Sequence, residues 1–273
     1  TESIVEQIFY YFEQKSILLI FDNFESVFPG RSFILDLLQR SSHVKIIITS
    51  RQRLNLQAES IHKVKGLPIP AAVDMDTARH DLQLFPGLQL FVDRAKRTTR
   101  GFELTDTNYA DVIAICAIVH GNPLAIELAA SQIEQSNPRQ ILTALQRDIT
   151  ELATDLYDVP AEHRSIRTVL DQSWKLLNEA EMKALALCTV FQYRFSAEAA
   201  ASVLDRSDYL QLLQNLVDKS WLNTEFSGTQ REFTMHAIVR DYGSQKLINM
   251  GIETKYNTHQ RHCDYYLHFV SLL

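Results

Sequence analysis

An α/β segment followed by an all-α region is the fold class this sequence predicts, and three observations carry it. The stretches "ILLIFD" (17–22) and "VKIIITSR" (44–51) are continuous apolar runs rather than alternating ones. Such runs suit strands buried on both faces of a parallel sheet. Between them, "SFILDLLQRSS" (32–42) places Ile34, Leu35, Leu37 and Leu38 at helical spacing, so strand, helix and strand form a βαβ unit. Beyond Pro70 nearly every apolar pattern has the helical period.

The elements follow in order. Residues 2–15 read as an amphipathic helix with Ile4, Ile8, Tyr11 and Phe12 on one face. "SIHKVKGLP" (60–68) reads as a third strand ended by Gly66 and Pro68. A polar segment, "AAVDMDTARHDLQLFPGL", precedes helices at 88–98, 105–121, 123–135 and 138–149. Thr105 and Asp106 are candidate caps for the second of these, and Pro123 opens the third at its first position. A further region from about 160 holds helices at 166–177, 179–191, 196–205 and 209–222. A hairpin follows over 221–238, turning at Ser227–Gly228, and then a closing helix at 238–251. Helices leading into a two-stranded wing predict a winged helix. A last helix begins at 256. The expected domains are therefore 1–70, 71–158, 159–251 and the start of a helical region at 252–273.

Composition narrows the function classes. The chain has 273 residues, 46% of them hydrophobic, enough for one large or several small cores. Its net charge of -6 argues against nucleic acid as a direct partner, because phosphate binding wants a basic face. Cys116, Cys188 and Cys263 lie far apart and form no C-x-x-C pair, so reduced thiols and a cytoplasmic location are expected. No apolar run approaches a membrane span. The spacing of His259, His262 and Cys263 is poor for a three-ligand metal site. Trp174 and Trp221 read as core, and the Arg94, Lys96, Arg97 and Arg100 run reads as a solvated helix face.

The candidate chemistry sits at the strand ends. Asp22 closes the first run, and a carboxylate at the C-terminal end of a parallel strand lies at the ligand edge of an open α/β sheet. Thr49, Ser50 and Arg51 come to the same edge from the second run. An arginine there offers a forked, permanent charge to a phosphate.

In order along the chain, "LLIFDNFE", "KIIITSR", "LQLFVDRAKRTTRGFELT", "ICAIVHGNPLAIELAA", "LVDKSWL" and "MHAIVRDYG" resemble the STAND/NB-ARC-type NTPases, as found in large bacterial transcriptional regulators. The resemblance covers nearly the whole chain. It implies a partial parallel-sheet P-loop NTPase domain, a helical lid domain, a winged-helix domain and the beginning of TPR-like repeats. It also implies ATP and ADP with Mg²⁺ as cofactors, self-association on activation, and effector or output domains as partners. Residue by residue, Asp22 resembles the Walker B aspartate and metal ligand. Arg51 resembles the sensor arginine. Gly121 and Pro123 match the lid's G-x-P turn, and His236 the histidine of M-H-D, which in that family reaches the ADP β-phosphate.

There are departures from the family pattern. Asn23 replaces the frequent second acid, and an amide is no general base, which leaves Glu25 as the nearby carboxylate. Ala237 replaces the M-H-D aspartate. No G-x-x-x-x-G-K-[ST] occurs, so the phosphate cradle is expected upstream of Thr1 or is absent. Two other classes stay open: a nucleotide-independent scaffold, and a winged-helix DNA binder whose recognition helix would be 209–219. Asp208 and Asp218 offset the single Lys219 of that helix.

Overall fold

A computed structural model describes residues 3–13, 15–70, 84–154, 164–227 and 230–271. Most of the polar segment after Pro70 and the tip of the hairpin lie outside them. The architecture is mixed: a small parallel sheet, a small antiparallel sheet and many helices. The chain divides into two compact units, one of residues 1–62 with 218–220, the other of 63–217 with 221–273.

In the first unit, α1 (Ile4–Glu13) leads to β1 (Ile17–Phe21), then α2 (Arg31–Arg40) and β2 (Val44–Ile48). The strands pair in parallel, Ile17 opposite Val44 through Phe21 opposite Ile48. Alternate residues of the two strands face inward. Val44, Ile46 and Leu19 join Phe9, Phe12, Phe33 and Leu37 in one cluster, while Phe21 and Ile48 join Phe24, Ile34 and Leu54 in another.

Three expectations are corrected here. The strands are not buried on both faces: Leu18, Ile20 and Ile47 are 52, 67 and 51% exposed, since among the described residues helices pack on one side only. The buried residue of α1 is Phe9, flanked by Ile8 and Phe12, while Ile4 and Tyr11 are exposed. Phe9 stacks on Phe33 at 5.1 Å, and Arg40 both lies over the Phe9 ring and pairs with Glu6, which sets the rotation of the helix. Finally, 60–68 is no strand. Val64 is 91% exposed, and the Leu67 amide donates to Gly121 O at 2.8 Å instead of entering a ladder.

In the second unit, α3 (Pro86–Thr98), α4 (Tyr109–Ile118), α5 (Pro123–Ser131) and α6 (Pro138–Arg147) surround one core. Leu88, Phe91, Val112, Ile115, Ile126 and Ile141 are at its centre. The helix starts are written in the sequence. Asn122 accepts from Ala125 N, and Asn137 with Gln140 forms a full capping box. Thr105 and Asp106 do not cap α4. Its N-cap position is Asn108, whose side chain turns back to accept from Thr105 N at 2.8 Å.

Helices α7 (Ile166–Trp174), α8 (Glu179–Cys188), α9 (Ala197–Leu204) and α10 (Tyr209–Asp218) follow. The hairpin is β4 (Asn223–Ser227) and β5 (Gln230–Thr234), and its sheet has three strands rather than two, because β3 (Phe195–Ser196) pairs with β5. Phe191, Phe195 and Phe233 stack in series, and Trp174 and Trp221 meet edge to face at 6.0 Å. Helix α11 (Ala237–Asn249) joins the two cores, sending Ile238 into the first and Tyr242 and Leu247 into the second. Helix α12 (Ile252–Ser271) packs mainly on α9. Among the described residues no helix is long and apolar enough to cross a membrane.

Candidate functional site

The parallel pairing of β1 and β2 brings their C-terminal ends level, so Asp22 and Thr49 emerge side by side. The Thr49 hydroxyl donates to the Asp22 carboxylate, and the same oxygen accepts the Asn23 amide at 3.0 Å. Thr49 N donates to Phe21 O at 2.9 Å and Phe24 N to Thr49 O at 3.0 Å, which extends the ladder past the strands. Asn23 takes a left-handed conformation, φ 55°, and turns the chain sharply after the aspartate. Asn is among the few residues that tolerate this. The amide at this position therefore shapes the turn, and its side chain is spent on Ser26 Oγ at 2.8 Å.

That turn leads into a 3₁₀ segment, Phe24–Gly30, anchored by buried Phe24. It returns Glu25 to the β2 end. Glu25 Oε2 accepts the Arg51 amide at 3.3 Å, and Oε1 lies 3.3 Å from Arg51 Nε. Asp22 itself is exposed. A carboxylate beside a hydroxyl is a hard-oxygen donor set. It suits Mg²⁺, which keeps most of its waters and takes one or two carboxylates together with substrate phosphates. Among the described residues no three acidic, histidine or cysteine side chains gather to hold a metal ion unaided.

The remaining candidates lie in the second unit. Gly121 has φ 68° and is pressed against Leu67; a Cβ here would strike the Leu67 carbonyl oxygen. Gly66 is pressed in the same way against the His120 carbonyl, so two backbone segments touch through glycines. Pro123 follows at the first turn of α5, exposed, behind the Asn122 cap.

His120, also left-handed at φ 51°, is held by this turn with its ring 4.5 Å from that of His236. His236 is the N-cap of α11, its Nδ1 accepting from Ile238 N at 3.3 Å, which leaves the ring proton on Nε2. Burial, then the neighbouring His120 and Arg240, push its pKa down to about 4. His120 is lowered for the same reasons, burial first and then Arg240. Both imidazoles are therefore neutral at pH 7. Arg240, one turn along α11, donates to Gln192 O at 2.9 Å.

The structure thus brings Asp22 to Thr49, Glu25 to Arg51, and His236 to His120. Sequence reasoning placed Thr49 at this edge without giving it a role, and left His120 and Arg240 out of the site. The signals were present: a hydroxyl two residues before Arg51, a histidine directly before Gly121, and an arginine four residues after His236.

No protein-family model matches the chain. It is similar to proteins of Mycobacterium bovis and Mycobacterium tuberculosis provisionally named HTH-type transcriptional regulators, 29% identical over 92% of this chain and 27% of theirs. An uncharacterized protein of M. tuberculosis is 26% identical over 86% of this chain and 58% of its own length. The chain thus spans about a quarter of the regulators it matches. A solved structure of a Signal Transduction ATPase with Numerous Domains carrying a tetratricopeptide repeat sensor, from Pyrococcus horikoshii, aligns over 98% of this chain and 33% of its own. That alignment has 18% identity and a TM-score of 0.32. The sequence likeness is thus to proteins provisionally named as regulators and to an uncharacterized one.

Proposed function

We propose that this chain is part of an ADP/ATP-dependent signalling switch of the STAND type. The observation that carries the reading is the edge of the parallel pair, where Asp22, Thr49 and Arg51 sit at the C-terminal ends of adjacent strands. This is where open α/β sheets bind ligands. In this reading Asp22 holds Mg²⁺ and Arg51 faces the terminal phosphate. The Gly121–Pro123 turn belongs to a helical lid over 71–158. His236, neutral with its Nε2–H available to donate, reaches the ADP β-phosphate from a winged helix over 159–251. The three-stranded sheet beside α8 to α10, and the capped start of α11 at His236, support the winged-helix assignment. Exchange of ADP for ATP shifts the population toward an open form, because the two nucleotides have different affinities for the two shapes. The open form self-associates and engages output domains.

The test is to purify the full-length protein, denature it, and identify released nucleotide by chromatography. Stoichiometric ADP is expected. No nucleotide, and none taken up from added ATP and Mg²⁺, would leave the nucleotide-independent scaffold as the reading. DNA binding through α10 is disfavoured because the basic Arg206 at its start is paired bidentately with Asp208.

A further inference from the structure

We propose that Glu25 is a positioning residue that aims Arg51, and not a general base. The inference rests on the nucleotide-switch reading and assigns a role within the same site. Three features argue for it. The side chain of Glu25 is only 8% exposed while that of Arg51 is 34% exposed, so the carboxylate lies inside and the guanidinium reaches outward. Both carboxylate oxygens are committed to one residue, Oε2 to the Arg51 amide and Oε1 to Nε. Each oxygen keeps a further lone pair, but a general base must also reach the water or hydroxyl it deprotonates, and a side chain this buried is turned toward Arg51 and away from the open edge.

The grip is also built from a fixed frame. The left-handed turn at Asn23, the buried Phe24 ring and the Phe24 N to Thr49 O bond hold the 3₁₀ segment to the end of β2. Glu25 and Arg51 therefore meet across two elements whose separation is set by backbone hydrogen bonds. Contact through Nε constrains the plane of the guanidinium, because that nitrogen lies at the root of the fork. The Arg51 backbone, held by the same carboxylate, cannot swing away independently. A charged group fixed in this way needs no reorganisation when a phosphate arrives, which is the condition under which electrostatic stabilisation is largest. The ligand class that reads such an arginine is a nucleoside triphosphate, by its terminal phosphate, in preference to the diphosphate.

The experiment is a comparison of ATP and ADP dissociation constants in the full-length protein with Mg²⁺. Glu25→Ala and Arg51→Ala are each expected to lower the preference for ATP over ADP about tenfold, equal to ~1.4 kcal/mol. Because both changes remove one shared interaction, the double variant is expected to lose no more than either alone. Glu25→Gln keeps an acceptor but gives up the charge, and an intermediate preference is expected. If Glu25→Ala does not fold, Glu25→Gln and Arg51→Ala decide in its place. A Glu25→Gln protein that keeps the full ATP preference while losing hydrolysis would show a general base and overturn the proposal. Wild-type protein that binds nucleotide, with Glu25→Ala leaving the ratio intact, overturns positioning alone. Wild-type protein that binds neither nucleotide overturns the switch reading and this inference together.

Discussion

Replacing Gly121 by alanine tests the turn that carries the G-x-P residues. At φ 68° an L-residue costs about 1–2 kcal/mol, because its Cβ crowds the following carbonyl. Here the methyl would also fall on the Leu67 carbonyl oxygen and 2.9 Å from Leu67 N, closer than real Cβ atoms approach. The two segments must separate, and the 2.8 Å bond from Leu67 N to Gly121 O weakens, at a cost of roughly 1 kcal/mol. The sum is about 2–3 kcal/mol. For a unit of this size that is a fall in melting temperature of about 5–10 °C. The assay is thermal unfolding followed by circular dichroism, with Gly101→Ala as the control. A Cβ on Gly101 meets nothing within 4 Å, so its effect should stay within about 0.5 kcal/mol. Equal melting temperatures for Gly121→Ala and Gly101→Ala would refute the argument that this backbone contact requires glycine.

Three further outcomes are expected. The folded-state pKa of His236, about 4, lies below its unfolded value near 6.5, so the unfolded chain binds the extra proton. Its contribution to stability is full above pH 6.5 and is lost as the pH falls toward 4, about 1–2 kcal/mol once solvent screening is allowed for. His236→Asn keeps a capping acceptor and should flatten that slope in urea titrations; an unchanged slope would contradict the assignment. Burial pushes the Cys116 and Cys188 thiols up to about 12, whereas Cys263 is exposed. A thiol reagent at pH 8 should label Cys263 rapidly and the other two only after denaturation. Tyr242→Phe removes the 2.5 Å hydrogen bond from the buried ring to Asp171, and a loss of about 1–2 kcal/mol in chemical denaturation is expected; a neutral effect would mean the bond adds nothing net.

Much of the local structure could be read from the chain. Asn137 with Gln140, and Asn178 with Glu181, announce helix starts through capping boxes, and both form. The two apolar runs become the parallel strands, and Asp22 stands directly after the first. The errors share a cause. "SIHKVKGLP" has the composition of a strand, but a strand exists only with a partner, and Leu67 bonds the Gly121 turn instead. Thr105 has the chemistry of a cap, yet Asn108, three residues on, occupies the cap position.

The sequence by itself determined the two parallel strands, most helices and the placing of Asp22 at a strand end, because hydrophobic period and turn chemistry act over a few residues. Only the tertiary structure decided which side of the β1–β2 sheet is covered. It also decided that Glu25 grips Arg51, and that His120 lies against His236 and helps to keep it neutral. Those pairings join residues far apart in the chain. Their geometry follows from the register of β1 on β2 and from the packing of α11 across two cores, and no local pattern encodes either.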